Sequence, residues 1–326
     1  MASYNYLGFS QPPENVTKAV LGDIDKYGVA TCSPSNEYGH SAVHRELEIE
    51  VAEYLRKEDA MIIGMGFATN TTVIPALCGK GTCLISDSLN HASIVYGART
   101  SGAKIKVFNH GDYDQLERII RDTIIEGQPR THVPWKKIVI LVEGIYSMEG
   151  EIVDLKRVVQ IKNKYKCYLY VDEAHSIGAL GASGRGICEQ TGVDPKEVDV
   201  LMGTFTKSFG AVGGYIASSK AVINHLKKKA FAPMYGASMS VPCAQQILSV
   251  IRVILGKDGT TIGRDKIKQL HDNANYFSAE LKKRGFEIMG APDSPVVVLM
   301  LYTGGRVPAF SRECLKRNVA VVVVAA

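Results

Sequence analysis

Short runs of apolar residues recur along the first two thirds of the chain, and each run is followed by polar or glycine-rich residues. Between several of them the apolar positions have helical spacing, as in residues 113–126 and 155–165. Buried strands that alternate with helices predict a mostly parallel sheet covered by helices on both faces. The predicted strands are AMIIG from residue 60, CLIS from 83, IKVF from 105, IVILV from 138, CYLYV from 167 and VDVLM from 198.

The pattern changes near Phe231, beyond which long helical segments replace the alternation. These segments and the short apolar runs after them predict a second, smaller α+β domain. In chain order they are helices over 241–255 and 265–284, the runs FEIM and PVVVLML, a helix over 310–317 and a strand over 319–324.

The same change suggests a domain division. We expect an N-terminal segment over 1–30, a large domain over 31–235 and a small, incomplete C-terminal domain over 236–326. The last eight residues, VAVVVVAA, form an apolar strand whose open edge would invite pairing with another chain. We therefore expect the sequence to be truncated.

Composition restricts the class of protein further. The hydrophobic share of 46% and the charged share of 22% are those of a soluble globular protein. The net charge of +5 is spread along the chain, so it indicates no acidic partner, and we expect no nucleic acid. Seven cysteines without a CxxC pair exclude a zinc ribbon and favour a reducing compartment. We expect no signal peptide, because MASYNYLGFSQPP lacks a basic region and a long apolar core, and no membrane span, because no apolar run reaches about 18 residues.

Polar residues of types that bind ligands or catalyse reactions follow five of the predicted strands. In open α/β sheets, ligands bind at the carboxyl ends of the strands. These ends would therefore bring glycines, hydroxyls, two histidines, carboxylates and one lysine to the same edge of the sheet. The segments are GMGFATN, DSLNHAS, EGIYSMEG, DEAHSIGALG and GTFTKSFG.

Phosphate-loop and metal chemistry fit these segments poorly. Thr206 rather than glycine precedes Lys207, so no Walker loop is formed, and GMGFAT lacks the third glycine of a dinucleotide fingerprint. VDEAH resembles a helicase motif, but an ATPase would need the missing Walker loop. Asp172 and His175 have no third ligand nearby in sequence, so we expect no metal.

Once phosphate-loop and metal chemistry are set aside, covalent chemistry at Lys207 is the remaining interpretation. A Schiff-base lysine must be neutral part of the time, which desolvation allows. An enzyme that uses pyridoxal 5'-phosphate (PLP) also needs a carboxylate to keep the pyridinium nitrogen protonated. Asp172 ends an apolar strand and suits that role. His91 could lie over the ring, and the GMGF backbone with Thr204 and Thr206 could bind the phosphate.

These motifs resemble the α-oxoamine synthase family of fold-type I PLP enzymes, and the resemblance covers essentially the whole chain. It rests on NYLGF at 5, GMGFATN at 64, NHAS at 90, EGIYSMEG at 143, YVDEAHSIGALG at 170 and GTFTKSFGAVGGY at 203. GQPRTHVPWKK at 127 and DSPVV at 293 resemble the family's serine-condensing catalytic subunit rather than aminolevulinate or biotin-pathway synthases. The resemblance implies an aspartate aminotransferase-like α/β fold.

The resemblance also implies a role for each matching residue. Lys207 would hold PLP covalently and move the Cα proton, and Asp172 would pair with the pyridine nitrogen. His175 would hydrogen-bond the ring oxygen and His91 would stack on the ring. Four residues would border the phosphate, namely Gly66, Phe67, Thr204 and Thr206. Ser147 would lie beside the ring.

The reaction implied by the resemblance is the decarboxylative condensation of L-serine with a long-chain acyl-CoA, which yields 3-ketosphinganine. It implies a heterodimer with a non-catalytic subunit that lacks the lysine. It also implies a position on the cytosolic face of the endoplasmic reticulum membrane, reached through segments missing from this sequence. Two alternatives stay open. One is an inactive fragment or regulatory subunit of the same complex, and the other is a synthase that uses glycine or alanine.

Three departures from the family pattern stand out. SPSNE at 33–37 replaces the usual STR, and Ala237 replaces a threonine that reaches the neighbouring subunit's cofactor phosphate in the family's homodimers. The family's carboxylate-binding arginine lies beyond the last residue of this sequence, and Arg306, Arg312 and Arg317 precede the expected position. We therefore expect this chain to bind PLP but to condense serine poorly.

Overall fold

A computed structural model describes residues 3–324. Its strands are β1 Asp59–Ile63, β2 Thr82–Asp87, β3 Lys104–Phe108, β4 Lys137–Glu143, β5 Ile145–Tyr146, β6 Glu151–Ile152, β7 Tyr168–Asp172, β8 Val200–Thr204, β9 Gly214–Ser218, β10 Ile288–Met289 and β11 Val298–Leu299. The α-helices are α1 Glu14–Tyr27, α2 Ala42–Leu55, α3 Gly66–Leu77, α4 Ala92–Thr100, α5 Tyr113–Glu126, α6 Leu155–Tyr165, α7 Ile187–Thr191, α8 Lys220–Lys229, α9 Phe231–Tyr235, α10 Val241–Ile254, α11 Ile262–Lys283 and α12 Arg306–Leu315, and one 3-10 turn covers Pro195–Glu197.

Two of the helices expected from their apolar spacing, α5 and α6, have the predicted boundaries. Each begins after an aspartate whose side chain accepts a hydrogen bond from a first-turn amide. Asp112 accepts from Gln115 at 2.8 Å, and Asp154 accepts from Arg157 at 3.1 Å. Such a cap satisfies an amide that lacks a partner within the helix, so the cap and the apolar stripe together specify where the helix starts.

Seven strands form the central sheet, in the order β1-β9-β8-β7-β4-β2-β3. All neighbouring pairs are parallel except those of β9, which runs antiparallel to both β1 and β8. The prediction of a mostly parallel sheet with helices is confirmed. The sequence interpretation missed β9, which follows a glycine-rich loop and is only five residues long.

Apolar layers cover both faces of the sheet. Alternation along β7 sends Leu169 and Val171 into the layer beneath α1, α2, α5, α6 and α10, while Tyr170 enters the layer beneath α3, α4 and α8. Because both faces are buried, polar side chains on these strands gather at the strand ends. That arrangement positions the candidate site.

The C-terminal part of the chain is less regular. β10 and β11 form a short antiparallel pair, with Ile288 opposite Leu299, and α12 follows. The prediction of a strand over 319–324 is wrong, because these residues have no paired strand within the described part of the chain. A strand needs a neighbour for its backbone groups, and sequence alone does not supply one. The domain division at residue 235 stays a prediction.

The helices of residues 3–324 include none that combines the length and the apolar character needed to cross a membrane.

Candidate active site at the carboxyl ends of the strands

A cavity of about 940 Å³ opens at the carboxyl ends of the central strands. Its lining includes five of the predicted site residues, which are His91, Ser147, His175, Thr206 and Lys207. Four strands or their following loops supply these residues, as expected if the strand ends meet at one edge. The remaining predicted residues, Gly66, Phe67, Asp172 and Thr204, lie beside this lining and are placed by the contacts described below.

Lys207 follows β8 and lines the cavity with its side chain half-buried. Burial lowers the pKa of Lys207 below its ordinary value, and the nearby carboxyl groups of Asp172 and, second, Glu143 oppose that change. The ion pairs found among residues 3–324 do not include Lys207. A lysine that is desolvated but not tied into an ion pair is able to react as a neutral amine.

Asp172 ends β7 and is 2% exposed. Its Oδ1 accepts a hydrogen bond from the Ala174 amide at 2.8 Å, and its Oδ2 accepts one from Asn70 Nδ2 at 2.7 Å. Two N–H donors fix the orientation of a carboxylate. Asp172 is therefore held rigidly at the strand end, as a partner for a cationic group would have to be.

His175 lies in the turn after β7 and is largely buried. Tyr6 Oη lies 2.7 Å from its Nδ1, and the Tyr4 ring packs edge-on against it at 5.5 Å. Burial, followed by the charges of Lys207 and His91, lowers the pKa of His175 well below its ordinary value. The ring is therefore neutral, and Tyr6 engages one of its two nitrogens.

His91 caps the start of α4. Its Nδ1 lies 2.7 Å from Ser93 Oγ and accepts a hydrogen bond from the Ser93 amide at 3.2 Å, while its own amide donates to Glu143 Oε1. The Phe67 ring stands edge-on to the His91 ring, with 6.2 Å between the ring centroids. These contacts keep the imidazole at the wall of the cavity.

The start of α3 lies against two threonines. Thr204 Oγ1 and Thr206 Oγ1 are 2.8 Å apart. A Cβ on Gly66 would lie 2.8 Å from Thr204 Oγ1, so only glycine lets the helix start this close. No side chain caps α3, which leaves its first amides available to an anion. Hydroxyls and free amides together suit a phosphate.

Three polar residues at this site were missed by the sequence interpretation, although each lies inside a motif it quoted. Tyr6 belongs to NYLGF, Asn70 to GMGFATN and Glu143 to EGIYSMEG. Glu143 ends β4 directly beside Asp172 and lines the cavity. Burial, with the charge of Asp172 as the next cause, raises the pKa of Glu143 well above its ordinary value. For Glu143, the available signal was a polar residue at the end of an apolar strand.

Two of the departures from the family pattern lie against each other. Pro34 and Ala237 form an isolated β-bridge, and Ser35 Oγ lies 3.0 Å from Ser238 Oγ. The amide of Ser238 also donates to the Ser33 carbonyl at 3.1 Å. SPSNE and the segment around Ala237 are therefore one local structure, and the two departures belong together.

The fold is that of a PLP-type transferase of the aminotransferase class. The chain belongs to the aminotransferase class I and II family, whose model matches residues 1–326. The fold class predicted from the motifs is confirmed.

The motif resemblance to the α-oxoamine synthases is also confirmed by individual relatives. The chain is 56% identical to Serine palmitoyltransferase 2 of Dictyostelium discoideum over 324 residues, which cover 99% of this chain and 66% of that protein. It is 56% identical to Long chain base biosynthesis protein 2a of Arabidopsis thaliana, with the same shares covered. The chain thus spans just under two thirds of the length of these curated relatives.

Among solved structures, the fold matches a lysine-to-alanine variant of serine palmitoyltransferase from S. paucimobilis with a bound PLP–myriocin aldimine. The TM-score is 0.90 at 27% identity, and the match covers 99% of this chain and 80% of that chain.

Proposed function

We propose that this chain is the PLP-bearing catalytic part of a serine palmitoyltransferase. The reaction would be the condensation of L-serine with a long-chain acyl-CoA, such as palmitoyl-CoA, with loss of CO₂ and CoA to give 3-ketosphinganine, the first step of sphingolipid synthesis. The observation that carries the proposal is the position of Lys207. It is the one lysine among the described residues that line the strand-end cavity.

The residues of this site fit PLP. Lys207 can bind it covalently, Asp172 offers a buried carboxylate for its ring nitrogen, and the uncapped start of α3 with Thr206 can take its phosphate. When bound, PLP supplies an electron sink for negative charge at Cα of the amino acid. The roles of Thr204, Gly66, Phe67 and Ser147 follow from their places beside these groups.

Each side chain would have a defined task. Lys207, with its lowered pKa, would remove and return the proton on Cα of serine. His175 would hydrogen-bond the ring oxygen through Nε2, because Tyr6 engages Nδ1. His91 would cover the ring and exclude water from one face. Asp172 would stay fixed by its two donors and hold the positive ring nitrogen.

The same proposal includes a partner and a location. We expect a heterodimer with the non-catalytic subunit of serine palmitoyltransferase, on the cytosolic face of the endoplasmic reticulum membrane. This arrangement follows from the proposed enzyme, which the similarity to named serine palmitoyltransferases supports. Ala237, which lacks the hydroxyl of the family's threonine, suits a dimer whose second subunit holds no PLP.

The test is to incubate the chain with PLP, reduce it with borohydride and map the pyridoxyl group by mass spectrometry. We expect the label on Lys207 and its loss in Lys207→Arg, whereas Lys220→Arg, an exposed control, should label as the unaltered protein does. Label elsewhere would overturn the site. With the partner subunit present, CoA release that prefers glycine or alanine to serine would overturn the substrate, and absence of any release would favour an inactive fragment.

A further inference from the structure

Asn70 connects the two groups that face the cofactor ring in the proposed function. It lies in α3, 1% exposed, and its Nδ2 donates to Asp172 Oδ2 at 2.7 Å and to Ser93 Oγ at 2.9 Å. Tyr170 Oη donates to Asn70 Oδ1 at 2.7 Å. We propose that Asn70 is the positioning residue that holds the carboxylate of Asp172 and sets the tautomer of His91. The inference rests on the proposed function.

The orientation of the Asn70 amide follows from its partners. The Tyr170 phenol is fully buried, and burial raises its pKa well above the ordinary value, so the hydroxyl keeps its proton and donates. Its acceptor must then be the amide oxygen, which places Nδ2 toward Asp172. The flipped amide would set two oxygens against each other at the Asp172 end and would direct its N–H groups at the phenol proton. Tyr170 and Asp172 therefore specify the same orientation.

The second branch from Asn70 reaches His91. Ser93 Oγ accepts the Asn70 hydrogen bond, which leaves the serine proton free for His91 Nδ1 at 2.7 Å. The Ser93 amide donates to the same nitrogen at 3.2 Å. With two donors directed at it, Nδ1 is an acceptor, so the ring proton is on Nε2.

The buried amide of Asn70 thus orients two groups. One is Asp172, the charge partner of the ring nitrogen, and the other is His91, whose ring covers the cofactor. Without the Asn70 amide, the Asp172 carboxylate loses one of its two donors and the Ser93 proton is no longer directed. We expect loss of Asn70 to weaken PLP binding roughly 10- to 100-fold, the scale of one buried hydrogen bond to a charged group. This loss of affinity should occur only for a cofactor that has the ring nitrogen, because Asp172 acts on that nitrogen.

The test compares PLP with its 1-deaza analogue, in which a carbon replaces the ring nitrogen. Dissociation constants are measured by titration of the cofactor-free chain, alone or in its complex, for the unaltered protein, Asn70→Leu, Tyr170→Phe and the control Thr72→Val in the same helix. The expected result is a strong preference for PLP in the unaltered protein and in Thr72→Val, and a much reduced preference in Asn70→Leu. An undiminished preference in Asn70→Leu would overturn the inference.

If Asn70→Leu does not fold, Tyr170→Phe decides, since it removes a single hydroxyl and should reduce the preference in part. The histidine branch has its own readout in the cofactor-free protein. With ¹⁵N-labelled histidine, His91 should show an unprotonated Nδ1, assigned with His91→Gln, and a mixture of tautomers in Asn70→Leu. An unchanged spectrum would overturn that branch. If the unaltered protein binds neither compound, the proposed function itself fails, a result that is distinct from the others.

Discussion

The ends of β4 and β7 carry the same chemical group in different surroundings. Glu143 and Asp172 are direct neighbours in the register of the two strands, and both are buried. Asp172 receives two N–H donors, from Ala174 and Asn70, whereas Glu143 receives one, from the His91 amide. Burial and the nearby Asp172 raise the pKa of Glu143 well above its ordinary value.

The difference shows that the donors around a carboxyl group, rather than its place at a strand end, decide its role. Two adjacent buried carboxylates repel each other, so the one with fewer donors keeps its proton. Asp172, with its two donors, is then the better partner for a cation, and Glu143 is the carboxyl group whose ionisation is opposed. The first three of the four predictions that follow test this division, and the fourth concerns the turn after β7.

The largest effect is expected on PLP binding. Asp172→Asn should weaken the affinity about 10²-fold or more, because removing one partner of a buried charge pair costs roughly 2–5 kcal/mol. Glu143→Gln keeps the shape and the neutral state, so its affinity should stay within about threefold, the scatter of a near-neutral change. Equilibrium titration measures both. Equal losses in the two variants would contradict the division of roles.

The second effect concerns stability against pH. A carboxyl whose pKa is raised by folding contributes full stability below its unfolded value, and loses it as pH rises through the folded value. A glutamine at this position cannot ionise, so Glu143→Gln should be more stable than the unaltered protein at pH 8 but not at pH 4.5, by a few degrees in Tm for about 1 kcal/mol. Glu173, whose pKa burial raises to about 7, cancels in this difference.

Thermal unfolding of the cofactor-free chain at both pH values provides the measurement, with Glu287→Gln as the exposed control. A difference in Tm that did not grow with pH would mean that Glu143 is already charged in the native state.

The third effect is a shift in the titration of Lys207. The charge of Asp172 raises the pKa of Lys207, so Asp172→Asn should move the midpoint of its reactivity to lower pH. Glu143→Gln should move it less. Competitive labelling of lysines in the cofactor-free protein, read by mass spectrometry across a pH series, gives the midpoint, and exposed Lys220 serves as the internal reference. A larger shift in Glu143→Gln would reverse the assignment.

The smallest effect is expected at the turn after β7. Tyr6→Phe removes the hydroxyl that lies 2.7 Å from His175 Nδ1, which should cost about 1 kcal/mol and lower Tm by roughly 2–4 °C. Tyr4→Phe is the matched control, because the Tyr4 ring contacts the same histidine through its edge. Calorimetry that gave the two variants the same Tm would show that the Tyr6 contact contributes nothing to stability.

Much of this architecture could be predicted from local sequence. The helix Tyr113–Glu126 was correct because its apolar period, its aspartate cap and Gly127 all agree. The strand Gly214–Ser218 was missed because its pairing partners, β1 and β8, lie elsewhere in the chain. The expected strand over 319–324 failed for the related reason that apolar residues do not form a strand without a neighbour.

The residues of the candidate site also divide into those that sequence could predict and those that it could not. The positions of Lys207, Asp172 and His175 at the strand ends could be predicted, since each lies at or after the end of an apolar run, and their roles stay predictions. Asn70 could not, because its role depends on contacts with Asp172 and Tyr170, about 100 positions away in sequence. Its residue type gives no signal until three segments of the chain are brought together. Sequence thus identifies reactive groups better than the residues that orient them.

β3 forms one edge of the central sheet, and no strand among residues 3–324 pairs with its outer side. An open edge is a template on which a strand of another molecule can be added, and charged side chains along it oppose such pairing. Lys104 and Lys106 alternate with Ile105 and Val107 on this strand, and Lys106 pairs with Glu126 at 2.9 Å. The two lysines therefore make the edge a poor seed for aggregation at high protein concentration.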